Sequence, residues 1–154
     1  MGVYTATIAW KRNADVFSDN KYSRAHTVSF DAPLTIPGSS SPHVVRLPFS
    51  REDAVDPEEM LVASLSSCHM LSFLYEAQRA GFVVDSYLDN AEGVMTKNEQ
   101  GKLWVSRVAL RPAIAWAGEK QPNAAEIEEL HHKAHHECFI ANSFKGEVVV
   151  EGAK

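Results

Sequence analysis

Two cysteines stand seventy positions apart, Cys68 in "LSSCHM" and Cys138 in "HHECFI". The thiolate, not the thiol, is the nucleophile, and a free cysteine with a pKa of about 8.5 is mostly protonated at neutral pH. Cys68 lies amid Ser, Leu, Met and His with no charged residue beside it. It is too far along its helix to use that helix's N-terminal dipole, whose effect is confined to about the first turn. A reactive Cys68 therefore needs an arginine, lysine or histidine brought from elsewhere. The plainer reading is a small hydrophobe packed in a core. Two thiols brought to one place can turn over an oxidant: one becomes a sulfenic acid, and the other condenses with it to a disulfide. Their spacing in sequence does not bring them together. A rival chemistry is metal binding. His131 and His135 are four apart, as are His132 and His136, and Cys138 follows. On a helix each pair shares a face and could hold zinc. Neither CxxC nor HExxH occurs, so the plainer reading is a solvated, histidine-rich helix face.

The elements that must position these residues follow from pattern. "DPEE" opens a helix, with Asp56 as N-cap, Pro57 at the first position and Glu59 three after the cap. The helix is expected to run to about Ala80 and stop at Gly81. Met60, Leu61, Ser64, Leu65, Cys68, Leu71, Ser72 and Tyr75 keep a 3.6 period, and Val62, Phe73 and Leu74 fall outside it. A helix apolar nearly all round is expected to be buried. Before it, residues 3–11 and 21–30 read as strands, the second with Tyr22, Arg24, His26 and Val28 on one side. Residues 31–43 read as a loop with a short strand at 34–36, and "VVRLPFS" (44–50) as a short edge strand. After it, residues 83–97 and 102–116 read as two long strands around the turn "NEQG". A second helix near 123–136 is capped by Asn123, and 145–151 is a last strand. That order gives an α+β domain, expected to be single over 1–154.

Composition narrows the partners. With 45% hydrophobic residues in 154, the chain can build a core without staples. A net charge of −5 argues against nucleic acid or an anionic membrane surface as main partner. There is no long uncharged apolar run and no leader-like start, so neither a membrane span nor secretion is expected. The expected location is the cytoplasm, where two thiols stay reduced. No nucleotide, flavin or haem motif occurs, so no cofactor is expected.

"DPEEMLVASLSSCHM" resembles a motif of the OsmC/Ohr family, the osmotically inducible and organic hydroperoxide resistance proteins. That motif runs Asn-Pro-Glu-Gln/Glu, a small-residue helix, then cysteine ten places after the first glutamate. Pro57, Glu58 and Cys68 keep this spacing, and "HKAHHECFIAN" is similar to the family's second motif, with Cys138 in place. "AGFVVDS" and a closing strand also fit, so the resemblance runs from about residue 20 onward. It implies the OsmC-like fold, antiparallel sheets around a long buried central helix, in an intertwined homodimer with sites at the subunit interface. It implies a dithiol-dependent peroxidase of organic hydroperoxides, with a lipoyl-type dithiol as electron donor. Carried over, Cys68 attacks the peroxide, Cys138 resolves it, an arginine holds the thiolate and Glu58 holds the arginine. The family places that arginine on an early strand or just before the Pro-Glu motif. Arg24 fits the first place and Arg46 the second; Arg24 is favoured because its strand alternates and can turn it inward with His26. Glu58 and Cys68 lie ten residues apart on one helix, roughly 15 Å. Either a long arginine spans part of that gap or the glutamate comes from the partner chain. Met60, Leu61, Leu65 and Phe139 would form an apolar wall suited to an alkyl hydroperoxide. Phe139 stands where the family often has proline, and His69 points away from the Cys68 thiol. The rivals are a thiol sensor, a carrier of a small apolar ligand, and a His/Cys metal protein.

Overall fold

The longest element starts as its capping residues dictate. The Glu59 amide donates to Asp56 Oδ1 at 2.7 Å, and the Asp56 amide donates to Glu59 Oε2 at 3.1 Å. This reciprocal box is worth on the order of 1 kcal/mol. In the computed structural model, which describes residues 2–152, the helix α1 runs Pro57–Arg79. It ends in a Schellman motif: Gly81 has φ +78°, its amide donates to Gln78 O, and the Phe82 amide donates to Ala77 O. Glycine is needed there because the left-handed region carries a Cβ penalty for other residues. The chain divides into two compact units, one ending at Met60 and one beginning at Leu61. The first turn of α1 thus belongs to the first unit and the rest to the second.

The first unit holds β1 (Ala6–Ala9), β2 (His26–Phe30) and β3 (Thr35–Gly38), an antiparallel sheet in the order β1-β2-β3. Val28, opposite Ile8 and Ile36, is its buried centre. Residues 44–50 do not form the expected strand. The amides of Val44 and Val45 return to Ser41 O, and the Phe49 amide returns to Arg46 O. Pro48 has no amide to offer a ladder, and the segment folds into turns.

The second unit has one antiparallel path that breaks in the middle. The expected long strands are each divided: β4 (Val83–Asp89) pairs with β7 (Pro112–Ala117), and β5 (Glu92–Lys97) pairs with β6 (Leu103–Leu110) around the Asn98–Gly101 turn. The break falls at Asp89, whose Oδ1 accepts the Arg111 amide. The closing strand β8 (Glu147–Val150) joins β6 in parallel, not antiparallel, alignment. Helix α2 (Ala124–Glu137) starts from a second capping box, Asn123 with Glu126.

Only one stripe of α1 is fully buried: Leu65, His69, Phe73 and Ala77, each four apart. Leu65 packs with Val108 and Leu110 beneath β5-β6-β8. Phe73 and Ala77 pack with Phe82, Leu130 and Ala134 beneath β4-β7. Burial of a ring such as Phe73 contributes roughly 1.5–3 kcal/mol. The stripe expected from the sequence is displaced by one residue. Leu71 and Tyr75, expected inside, are 62% and 58% exposed in the single chain.

Candidate functional site

The fold brings the two cysteines together. Cys68 lies half-buried on α1, one turn beyond Ser64, and Cys138 caps the C-terminus of α2, fully buried. Its amide donates to His135 O at 3.4 Å, and its sulfur accepts the Ala141 amide at 3.3 Å. A 3-10 turn, Ala141–Ser143, follows and turns the chain under the thiol. Both thiols are free. Burial pushes the Cys138 thiol up to about 11, and a hydrogen bond with the Cys68 thiol adds to the rise. At neutral pH, Cys138 is therefore a neutral thiol.

Beside them lies a pair that the sequence pattern did not disclose. His69 does turn away from the Cys68 face, as expected, but it turns into the core. Its Nε2 meets Nδ1 of His131 at 3.0 Å, with the rings stacked 5.3 Å apart. His131 is therefore not on a solvated face; it is 4% exposed and also stacks on Phe73. Only His132, His135 and His136 of the histidine run reach solvent. Burial lowers both His69 and His131 to about 4. The signal was present: Ile127, Leu130, Ala134 and Cys138 repeat every three or four residues and enclose His131. Among the described residues no group of three or more His, Cys, Asp or Glu side chains is placed to hold a metal ion.

Arg24 and Glu58 lie together in the first unit. They line one cavity of about 500 Å³ with Trp10, Phe17, Tyr22 and His26. The aromatic walls support one another: Phe17 stacks on Tyr22 at 4.6 Å, and Trp10 meets Tyr22 edge-on at 5.6 Å. His26 lies close over Gly38, its cross-strand partner, where any Cβ would collide with the ring. The Arg24 guanidinium sits 4.0 Å over the Tyr22 ring and donates to Asn20 O, Asn20 Oδ1 and Tyr22 O. Glu58 Oε2 is buried and has no hydrogen-bond partner among the described residues. Arg46 is exposed, over Phe49, and is not a wall of this cavity. The apolar wall expected near the thiol does not form as drawn: Leu65 is core, and Phe139 is 78% exposed.

Comparison with known proteins gives a consistent result. Residues 50–152 match the family model for OsmC-like proteins. An OsmC-like protein of unknown function from Vibrio cholerae O1 biovar eltor is 50% identical, with a TM-score of 0.94 over 98% of this chain and 99% of that one. An organic hydroperoxide resistance protein from Elizabethkingia anophelis has a TM-score of 0.72 at 18% identity, covering 98% of this chain and 94% of that one. The organic hydroperoxide resistance protein OhrB of Bacillus subtilis has a TM-score of 0.66 at 16% identity, covering 97% and 95%. At these low identities the last two show a shared fold. No curated protein matches the sequence significantly.

Proposed function

The chain belongs to the OsmC-like family, and from that premise we propose that it is a two-cysteine peroxidase of organic hydroperoxides. Cys68 thiolate attacks the outer peroxide oxygen; the O–O bond breaks, Cys68 becomes a sulfenic acid and the alcohol leaves with a proton. Cys138 sulfur then displaces that oxygen as water, leaving a Cys68–Cys138 disulfide. An external dithiol, lipoyl-type by family resemblance, reduces it and is itself oxidised to a disulfide. The observation that carries this reading is the fully buried Cys138 thiol, held protonated by that burial beside Cys68. A resolving thiol must wait unreacted while its partner meets peroxide.

Arg24 and Glu58 are assigned to the first step. A guanidinium stays charged and offers a fork of donors, enough for a thiolate and a peroxide oxygen. Their shared cavity and the free Glu58 acceptor support the pairing. Its aromatic walls suit a hydroperoxide with an apolar body. The exposed Leu71 and Tyr75 on α1 support a homodimer, since an uncovered apolar helix face asks for a cover. No helix among the described residues is long and apolar enough to cross a membrane. Free thiols fit a reducing compartment such as the cytoplasm. The test is intact mass after reduced protein meets an organic hydroperoxide. A Cys68–Cys138 disulfide is expected, absent in Cys68→Ser and replaced by over-oxidised Cys68 in Cys138→Ser. Thiols that survive excess peroxide would overturn the reading.

A further inference from the structure

The peroxidase chemistry leaves the two buried histidines without a task. His69 and His131 are 1% and 4% exposed, and each ring has lost its solvation. His69 Nδ1 and His131 Nε2 have no partner among the described residues, so one mutual bond is set against two desolvated rings. Apolar side chains of similar volume would fill this space at less cost. What they would lack is direction. A hydrogen bond between near-parallel rings, 9° apart in plane, fixes how α1 stands against α2 in both rotation and translation.

That constraint falls beside the thiols. His69 follows Cys68 on α1. His131 lies seven residues before Cys138 on the buried face of α2, about two helical turns. A slip of α2 by a single residue would carry Cys138 about 1.5 Å along its axis. Disulfides accept Cβ separations only within about 3.5–4.5 Å, so such a slip decides whether the two sulfurs can bond.

We propose that the His69–His131 hydrogen bond is a clasp that sets the register of α1 against α2 and so keeps the Cys138 thiol within bonding reach of Cys68. Its functional meaning rests on the peroxidase reading. In the second step the Cys68 S–O bond breaks and the S–S bond forms, with the Cys138 proton leaving in water. A sulfenic acid that waits too long meets a second peroxide and becomes sulfinic acid. The clasp shortens that wait. Both histidines are positioning residues; neither touches substrate nor passes a proton to or from the reacting atoms.

The test uses amide isosteres. In His131→Asn the side-chain amide stands near the place of Nδ1 and keeps the bond to His69. In His131→Gln it stands near Nε2 and loses the bond, and His131→Leu has no polar atom. The full chain is equilibrated in glutathione redox buffers, and the Cys68–Cys138 disulfide is quantified by intact mass. The Gln and Leu variants are expected to favour the disulfide about tenfold less, a potential about 30 mV more oxidising. Asn is expected to stay within about twofold of the unaltered protein. With excess tert-butyl hydroperoxide, the Gln and Leu variants accumulate sulfinic acid at Cys68 while the other two form disulfide. Should the Leu variant fail to fold, the Asn–Gln contrast still decides. Equal potentials for Gln and Asn overturn the clasp. If peroxide leaves the unaltered protein's thiols intact, the peroxidase reading fails, and the redox-buffer comparison still settles the clasp on its own.

Discussion

The backbone amide of Arg111 donates to Oδ1 of Asp89 at 2.6 Å, at the corner where β6 gives way to β7. The other carboxylate oxygen accepts from Ser66 Oγ on α1. One side chain thus ties the break in both long strands to the helix that carries Cys68. Asp89→Ala leaves a part-buried amide and a hydroxyl without their acceptor. It is expected to destabilise the fold by about 1–3 kcal/mol. The check is a lower urea midpoint at unchanged slope. Asp89→Asn, which keeps an acceptor, is expected to lose less.

The histidine pair makes stability depend on pH with a definite sign. Burial holds His69 and His131 at about 4; His135 adds to the lowering of His69, which Asp89 partly opposes, and His69 adds to the lowering of His131. An unfolded histidine titrates at about 6.5. Between those values the unfolded chain binds protons that the native chain does not, so stability falls as pH falls. Each histidine contributes a slope of at most ~1.4 kcal/mol per pH unit. Urea unfolding from pH 7 to 4.5 is expected to be steeper in pH for the unaltered protein than for His69→Gln/His131→Asn. Parallel curves would contradict the assignment.

Cys138 titrates high for two reasons, burial first and the Cys68 hydrogen bond second. An alkylating reagent at pH 8 is expected to label Cys68 in the native protein and to spare Cys138 until denaturant is added. Peptide mapping reads this directly. Equal labelling of both thiols in the native state would contradict it. The same shift gives a stability term present below about 8.5, the ordinary cysteine value, and lost as pH rises toward 11.

Arg24 and Glu58 act, under the peroxidase reading, as donor and holder. Arg24→Lys replaces a fork by a point charge and is expected to lower kcat/KM by about 10²–10³, the range for a removed transition-state donor. Glu58→Gln keeps an acceptor without charge, and about a tenfold loss is expected. Hydroperoxide consumption with a dithiol reductant measures both, and Arg46→Lys serves as the control expected to be silent.

The dimer reading has its own check. Leu71→Glu with Tyr75→Glu puts two charges on the exposed apolar face of α1. Sedimentation is expected to find the unaltered protein dimeric and this variant monomeric, with the helical signal retained. An unaltered protein that sediments as a monomer would remove the proposal.

Local chemistry made several features legible in advance. Asp56-Pro57 and Asn123 start helices because their side chains can accept the first free amides, and Gly81 ends one because its φ is positive. The cysteine pair was legible only through motif resemblance, since seventy residues of spacing carry no distance. The strand at 44–50 failed because β propensity lost to Pro48 and to Ser41 as a turn acceptor. The break at Asp89 was invisible because it depends on Arg111 and Ser66, 22 and 23 residues away. The burial of His131 is hidden in the sequence because its neighbours along the chain are polar while its neighbours on the helix face are Ile127, Leu130 and Ala134.

The aromatic cluster at Trp10 gives the protein an optical address for each half. Trp10 is the sole tryptophan before Met60, and it forms a wall of the Arg24–Glu58 cavity; Trp104 and Trp116 both lie after it. Trp116 packs on Phe73 and Phe82, against the core that they form with Leu130 and Ala134. Emission from a Trp10-only protein reads occupancy of the cavity, whereas emission from Trp116 reads integrity of the core. Two single-tryptophan variants would therefore report ligand arrival and unfolding as separate colours and lifetimes, with no label attached.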